Sequence, residues 1–132
     1  MHIHYKTDTV PATADIIELY DNAGLKRPTE DAGRIAEMYK NSPLVVSAWD
    51  GEKLVGVARS LTDYCFCCYL GDLAVNKDYQ MAGIGRQLVA LTQEVIGPKT
   101  MLLLLSAPTA MEYYPKIGMT RLNNAFYIAR KE

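Results

Sequence analysis

Leu73-Ala74-Val75-Asn76-Lys77-Asp78-Tyr79-Gln80-Met81-Ala82-Gly83-Ile84-Gly85-Arg86-Gln87-Leu88 runs from an apolar strand, through a polar and then glycine-rich turn, into a helix. A helix begins with about four backbone N–H groups that lack an intrahelical partner, and the summed peptide dipoles add roughly half a positive charge there. Ser, Thr, Asp or Asn ordinarily caps some of these donors, and Gln80 to Gly85 contains none of the four. The donors are free for an anion. Gly83 and Gly85, lacking Cβ atoms, let a phosphate approach the backbone, and Arg86 in the first turn adds a charge-assisted bond. Tight helix packing without a ligand is the competing reading of the same glycines.

Two other phosphate turns fit poorly. A P-loop places Lys and Ser/Thr after its second glycine, where this chain has Arg86-Gln87. A dinucleotide fingerprint needs a third small residue, found here as Leu88, and an acid ending the next strand, which ends at Ser106 without one.

Outward from this turn the chain reads as one α/β domain. Its 132 residues suffice for a core without disulfides or metal. Lys plus Arg number 14 against Asp plus Glu 15, so no basic excess points to a nucleic-acid partner. The longest apolar run, Met101 to Leu105, is too short for a bilayer, and Met1-His2-Ile3-His4 is unlike a secretory signal; the expectation is a cytoplasmic protein that does not engage a membrane. Cys65, Cys67 and Cys68 lie within one strand-like segment and cannot converge on a metal, so they read as packing residues and no metal is expected.

Ile3 to Tyr5 reads as a first strand. Ile16 to Tyr20 has helical apolar spacing that stops at Asn22-Ala23-Gly24, and a second helix runs from Thr29 or Asp31 to Lys40. The loop between them, Leu25-Lys26-Arg27-Pro28, is a natural wall for a substrate site. Leu44 to Trp49 and Lys53 to Ser60 form a hairpin through Asp50-Gly51, a type I′ signal, and Tyr64 to Val75 is a long third member in which Gly71 marks a bulge or close approach. Ile84, Leu88, Leu91 and Val95 define one face of a helix ended by Gly97-Pro98. Met101 to Leu105, without alternation, suits a central strand covered on both faces and parallel to the one before the helix. A short helix spans Ala110 to Lys116, and Thr120 to Leu122 and Ala125 to Arg130 read as strands about an Asn123-Asn124 turn.

Gln80-Met81-Ala82-Gly83-Ile84-Gly85 fits the Gln/Arg-x-x-Gly-x-Gly/Ala signature of the GNAT family, the Gcn5-related N-acetyltransferases. Leu73-Ala74-Val75 resembles the strand entering that family's acetyl-CoA loop, Tyr113 to Met119 resembles its Phe-Tyr-x-x-x-Gly-Phe segment, and Asp50-Gly51-x-x-Leu54-Val55-Gly56 resembles the hairpin between its second and third strands. The match runs along the whole chain, in order, and is nearest to small bacterial members and the arylalkylamine-like branch. Met81 stands where Gly is common, Tyr113 where Phe is usual, and Ser106 where many relatives place an Asn that contacts the pantetheine arm.

The resemblance implies a single GNAT domain over residues 1–132: a mixed sheet with antiparallel N-terminal strands, a splayed parallel central pair and helices on both faces. It implies that acetyl-CoA is the co-substrate. Its pyrophosphate would rest on the amides of Met81, Ala82, Gly83, Ile84, Gly85 and Arg86, after Gln80, and its pantetheine arm would pair with Leu73, Ala74 and Val75, with Ser106 nearby. An amide of that strand would stabilise the oxyanion as a neutral amine attacks the thioester. Tyr114 aligns with the tyrosine that protonates the departing sulfur. Asp72 is the first candidate for the base, followed by Asp63 and Glu112, with a water chain as an alternative. A small amine is the preferred acceptor, with Tyr20, Tyr39, Tyr64 and Tyr69 as a candidate aromatic pocket; a protein lysine or N-terminus, or an acyl-CoA-sensing module without catalysis, are the alternatives. The family often dimerises through terminal strands, so a homodimer is also an expectation.

Overall fold

The computed structural model describes residues 2–132. A five-stranded sheet runs in the order β1 (Ile3–Lys6), β2 (Leu44–Asp50), β3 (Lys53–Thr62), β4 (Cys67–Val75), β5 (Met101–Leu104). Pairing is antiparallel from β1 to β4, and β4 and β5 are parallel, as the strand-helix-strand crossover requires. Helices α1 (Thr13–Ala23) and α2 (Ala32–Lys40) cover one face, and α3 (Ile84–Ile96) covers the other.

Each helix has a local reason for its limits. Gly24 takes a left-handed φ of 75° after α1, and the chain closes with Leu25 N–H donating to the Tyr20 carbonyl at 3.1 Å. Asp31 caps α2 by accepting from the Arg34 amide at 3.0 Å. The α3 face closes onto the sheet so tightly that a methyl on Gly56 would meet Ile84 Cγ2 at 3.0 Å and Leu88 Cδ1 at 3.1 Å.

Three sequence expectations are corrected. In the β2–β3 hairpin, Asp50 pairs with Lys53 and only Gly51 has positive φ, which is not the type I′ pattern, where both central residues need it. Strand β5 is half-buried along Leu102–Leu104 with Met101 exposed, so it is an edge strand, not one covered on both faces. The parallel pair therefore lies at the border of the sheet. Residues 120–130 form no strand; they run exposed, with Phe126 96% and Ile128 97% accessible. The strand-like sequence there pairs with nothing among the described residues.

The bulge expected at Gly71 is present. Arg59 faces Asp72 while Ser60 faces Leu70, so Gly71 is the extra residue. Alternation reverses across it: Cys68 and Leu70 pack on the α3 side, whereas Ala74 packs toward α1 and α2. The bulge turns Asp72 away from the α3 core. It also ends the pairing with β5, which extends only from Cys67 to Leu70. Beyond it, β4 has no neighbour on that side, leaving a wedge-shaped opening.

Candidate functional site

The wedge leads to the turn that opens α3. Asn76 carries the chain out of β4, its amide donating to the Val55 carbonyl at 2.8 Å and its side chain accepting from the Asp78 amide at 2.9 Å. Tyr79 is pinned by its hydroxyl donating to Asp50 at 2.6 Å, and the Gln80 side-chain amide folds back onto the Val75 carbonyl at 3.1 Å. The loop is thus held on its N-terminal side. Met81, Ala82 and Gly83 are exposed beyond these anchors. Gly83 enters α3 with φ 76°, and no side chain caps the helix, so the first amides of α3 are unclaimed by any cap.

The two glycines differ in purpose. A Cβ on Gly83 would meet nothing within 4 Å, apart from the backbone strain of its positive φ. A Cβ on Gly85 would stand 2.5 Å from the Tyr113 hydroxyl and 3.8 Å from Val75 Cγ2. Gly85 is buried and makes room for a tyrosine, so the packing reading applies to it and the open-cradle reading to Gly83. Arg86 is exposed and donates to the Lys116 carbonyl at 3.1 Å, joining the start of α3 to the end of α4 (Tyr113–Lys116).

Tyr113 and Tyr114 stack edge to face with ring centroids 5.2 Å apart. Burial raises the Tyr114 phenol above its ordinary pKa, with a smaller contribution from Tyr113, so the hydroxyl keeps its proton at neutral pH. Burial also raises Tyr113, and the Arg86 charge partly offsets it. Ser106, half-buried just beyond β5, donates to the Ala107 carbonyl at 2.8 Å.

Asp72 lies in a different setting from the one a base needs. Its side chain is fully inaccessible, with Oδ1 accepting from Arg27 Nε at 2.5 Å and Oδ2 from Arg59 Nε at 2.7 Å and from the Tyr20 hydroxyl at 2.7 Å. Tyr20 and Tyr39 share a short bond of 2.5 Å between hydroxyls. Burial alone would raise the Asp72 carboxyl, but the Arg59 hydrogen bond and charge, the Tyr20 bond and the Arg27 charge together hold it below the usual range. Burial, followed by the charges of its neighbours, pushes Tyr20 far up. The aromatic pocket is corrected accordingly: Tyr20 and Tyr39 are buried at 0% and 3%, inside this network, while Tyr64 and Tyr69 reach the surface.

The other acids are placed as follows. Asp63 Oδ1 accepts three backbone amides, from Cys65, Phe66 and Cys67, at 2.8 to 3.1 Å, which closes the β3–β4 turn; Phe66 is the first of these in holding its carboxyl below the ordinary value. Glu112 is exposed, immediately before α4. Arg27 and Arg59, absent from the sequence-derived site, are the unforeseen members. The signal was an aspartate in an apolar strand facing a strand that carries an arginine at the same register. Among the described residues no group of three or more His, Cys, Asp or Glu side chains gathers to hold a metal, and no helix is long and apolar enough to cross a membrane.

The profile of a family described as "Acetyltransferase (GNAT) domain" matches residues 20–129. Among curated proteins, the chain is 26% identical over 114 residues to the uncharacterized N-acetyltransferase ycf52 of Pyropia yezoensis, covering 81% of this chain and 64% of that one. It is 28% identical over 120 residues to histone acetyltransferase TAP1 of Glycine max, covering 79% of this chain and 50% of the relative. The chain thus spans about half to two thirds of the length of these relatives. Among solved structures, a probable acetyltransferase of meticillin-resistant Staphylococcus aureus superposes with a TM-score of 0.83 at 21% identity, covering 98% of this chain and 100% of the other. An acetyltransferase described as putative from Deinococcus radiodurans gives 0.78 at 19%, covering 97% and 88%.

Proposed function

The chain belongs to the GNAT acetyltransferase family, and from that premise we propose that it transfers acetyl from acetyl-CoA to a small primary amine by direct attack in a ternary complex. The observation that carries this reading is the wedge. A strand that beyond Gly71 has no partner strand on its β5 side leads directly to an uncapped helix start with Gly83 at its entrance. A pantetheine arm, peptide-like in its hydrogen bonding, suits the free side of Leu73, Ala74 and Val75. The pyrophosphate suits the amides between Met81 and Arg86.

Proximity in that complex supplies much of the acceleration. Tyr114 is the proposed acid. Its raised pKa keeps the proton until a thiolate, with an ordinary pKa of about 8.5, takes it. Asp72 is proposed as a positioning residue instead of the base, because both oxygens already serve donors that need it ionised and no surface of the side chain is accessible. Water then carries the amine proton away. No metal is required by this chemistry.

A protein acceptor is a second reading, favoured by the histone acetyltransferase among the relatives. The Tyr69 ring, whose edge reaches the Gly71 position where β4 parts from β5, supports the small-amine reading. The proposal includes a cytoplasmic setting and a homodimer, the latter supported by the open edge of β5 and the exposed apolar residues 120–130. Calorimetric titration with acetyl-CoA, followed by thiol release over a panel of amines, tests the reaction. Binding without turnover on any amine or peptide would leave an acyl-CoA sensor.

A further inference from the structure

Arg27 and Arg59 bring two positive charges to one carboxylate, and their bonds to Asp72 are the two ion pairs found among the described residues. The groups that surround them otherwise are neutral: Tyr20, Tyr39, the Ser42 hydroxyl and backbone carbonyls. The cluster holds one cation in excess, largely out of water, with 12% of the Arg59 side chain and 30% of Arg27 exposed.

Each nitrogen of the Arg27 guanidinium donates at least one bond: Nε to Asp72, Nη1 to the Lys26 carbonyl at 2.6 Å and Nη2 to the Gly71 carbonyl at 2.9 Å. Arg59 is different. Its Nε serves Asp72 and its Nη1 the Ser42 hydroxyl at 3.1 Å, while Nη2 has no protein acceptor among the described residues. Nη2 lies 3.0 Å from where a Gly71 Cβ would be, and the edge of the half-exposed Tyr69 ring lies 3.5 Å from the same point. A glycine floor, a guanidinium nitrogen without a protein acceptor and an aromatic wall therefore meet where β4 parts from β5.

We propose that Arg59, held by Asp72 and backed by Arg27, binds an oxyanion that the acceptor carries beside its amine. This deepens the acetyl-transfer reading and rests on it: the acceptor class becomes small amines bearing a carboxylate or a phosphate. A guanidinium in this setting recognises either oxyanion, and an uncharged amine would leave its donor unpaired.

The test uses the full chain with acetyl-CoA and matched pairs of amines, β-alanine against propylamine and O-phosphoethanolamine against ethanolamine, with kcat/KM read from thiol release. The expected result is a preference of about tenfold or more for at least one anionic member, the pair showing it naming carboxylate or phosphate. In the unaltered protein, sodium acetate then competes with the amine and not with acetyl-CoA, and inorganic phosphate competes with the amine. Arg59→Gln erases the preference, and Arg59→Lys retains part of it. Equal or better use of the neutral members overturns the proposal. So does an equal loss on both members in Arg59→Gln, as a merely structural arginine would give, or acetyl-CoA binding with no turnover of any member. Failure of calorimetry to detect acetyl-CoA binding overturns the acetyl-transfer reading itself, and is read before any amine is added.

Discussion

Asp72→Asn distinguishes a positioning carboxylate from a base, because the two roles predict opposite patterns of damage. The amide keeps the shape of the side chain and removes the charge that two guanidiniums and the Tyr20 hydroxyl converge upon. Removing one member of a buried ion pair costs about 3–5 kcal/mol, since the partner charge is left uncompensated. Arg27 is nearly a third exposed, so solvent screens its share and the lower end, about 3 kcal/mol, is appropriate. For a chain of 132 residues, an unfolding entropy of roughly 2.1 cal/mol/K per residue converts this to a fall in Tm of roughly 10 °C.

Two assays are read together: urea unfolding, and kcat/KM as a function of pH at a temperature where the variant is folded. A positioning role predicts the loss of stability and an acid limb of unaltered midpoint. A general base contributes about 10²- to 10⁴-fold, so that role predicts a kcat loss of this size and disappearance of the acid limb in the folded variant. A Tm within about 2 °C of the parent, together with a hundredfold loss in kcat, would refute the positioning argument.

The same carboxylate sets an acid dependence of stability. Its folded pKa lies below the unfolded value near 3.9, so the unfolded chain binds the proton first on acidification. The contribution is complete above about pH 4 and lost as pH falls through the folded pKa; denaturant midpoints between pH 2 and 5 should show this slope, flattened in Asp72→Asn. Tyr114→Phe should lower kcat by about a hundredfold with the affinity for acetyl-CoA retained, whereas Tyr113→Phe should affect chiefly packing against Gly85; the reverse order in steady-state kinetics would move the acid to Tyr113. Gly85→Ala would place a methyl 2.5 Å from the present Tyr113 hydroxyl, so the ring must shift, at about 1–3 kcal/mol, visible as a shift in unfolding midpoint. For the tail, sedimentation should show a dimer that Phe126→Ser with Ile128→Ser converts to monomer; a monomeric parent at micromolar concentration would end that reading.

What was legible in the sequence is what local chemistry determines. The crossover follows from strand-helix-strand order, the bulge at Gly71 from a glycine and the uncapped start of α3 from a missing cap, features that neighbouring residues specify. The environment of Asp72 is not local. Tyr20 is 52 residues away from it along the chain and Arg27 is 45, and only the folded sheet brings them to one carboxylate. An acid beside the cofactor strand reads as a base until its partners are visible. The half-buried state of β5 and the bare tail escaped for a related reason: a short apolar run tells that a segment is extended, not which edge, or which copy, it pairs with.

The β4 bulge connects these two kinds of information. An alternating strand without it would have turned Asp72 into the α3 core, where no arginine waits. The extra residue puts the aspartate under α1 and α2, and Arg27 spans the distortion by bonding both Asp72 and the Gly71 carbonyl. The α1–α2 loop, Arg27's own segment, is thereby fastened to the point where β4 separates from β5. The proposed acceptor wall and thioester slot consequently share one anchor, so substitutions at Gly71 should disturb acceptor and coenzyme binding together. Gly71→Ala is the sharpest form of this expectation, because its methyl would sit 3.0 Å from Arg59 Nη2. Steady-state kinetics should show KM rising for both substrates in that variant. A change confined to the amine would mean that the loop and the slot are mechanically independent.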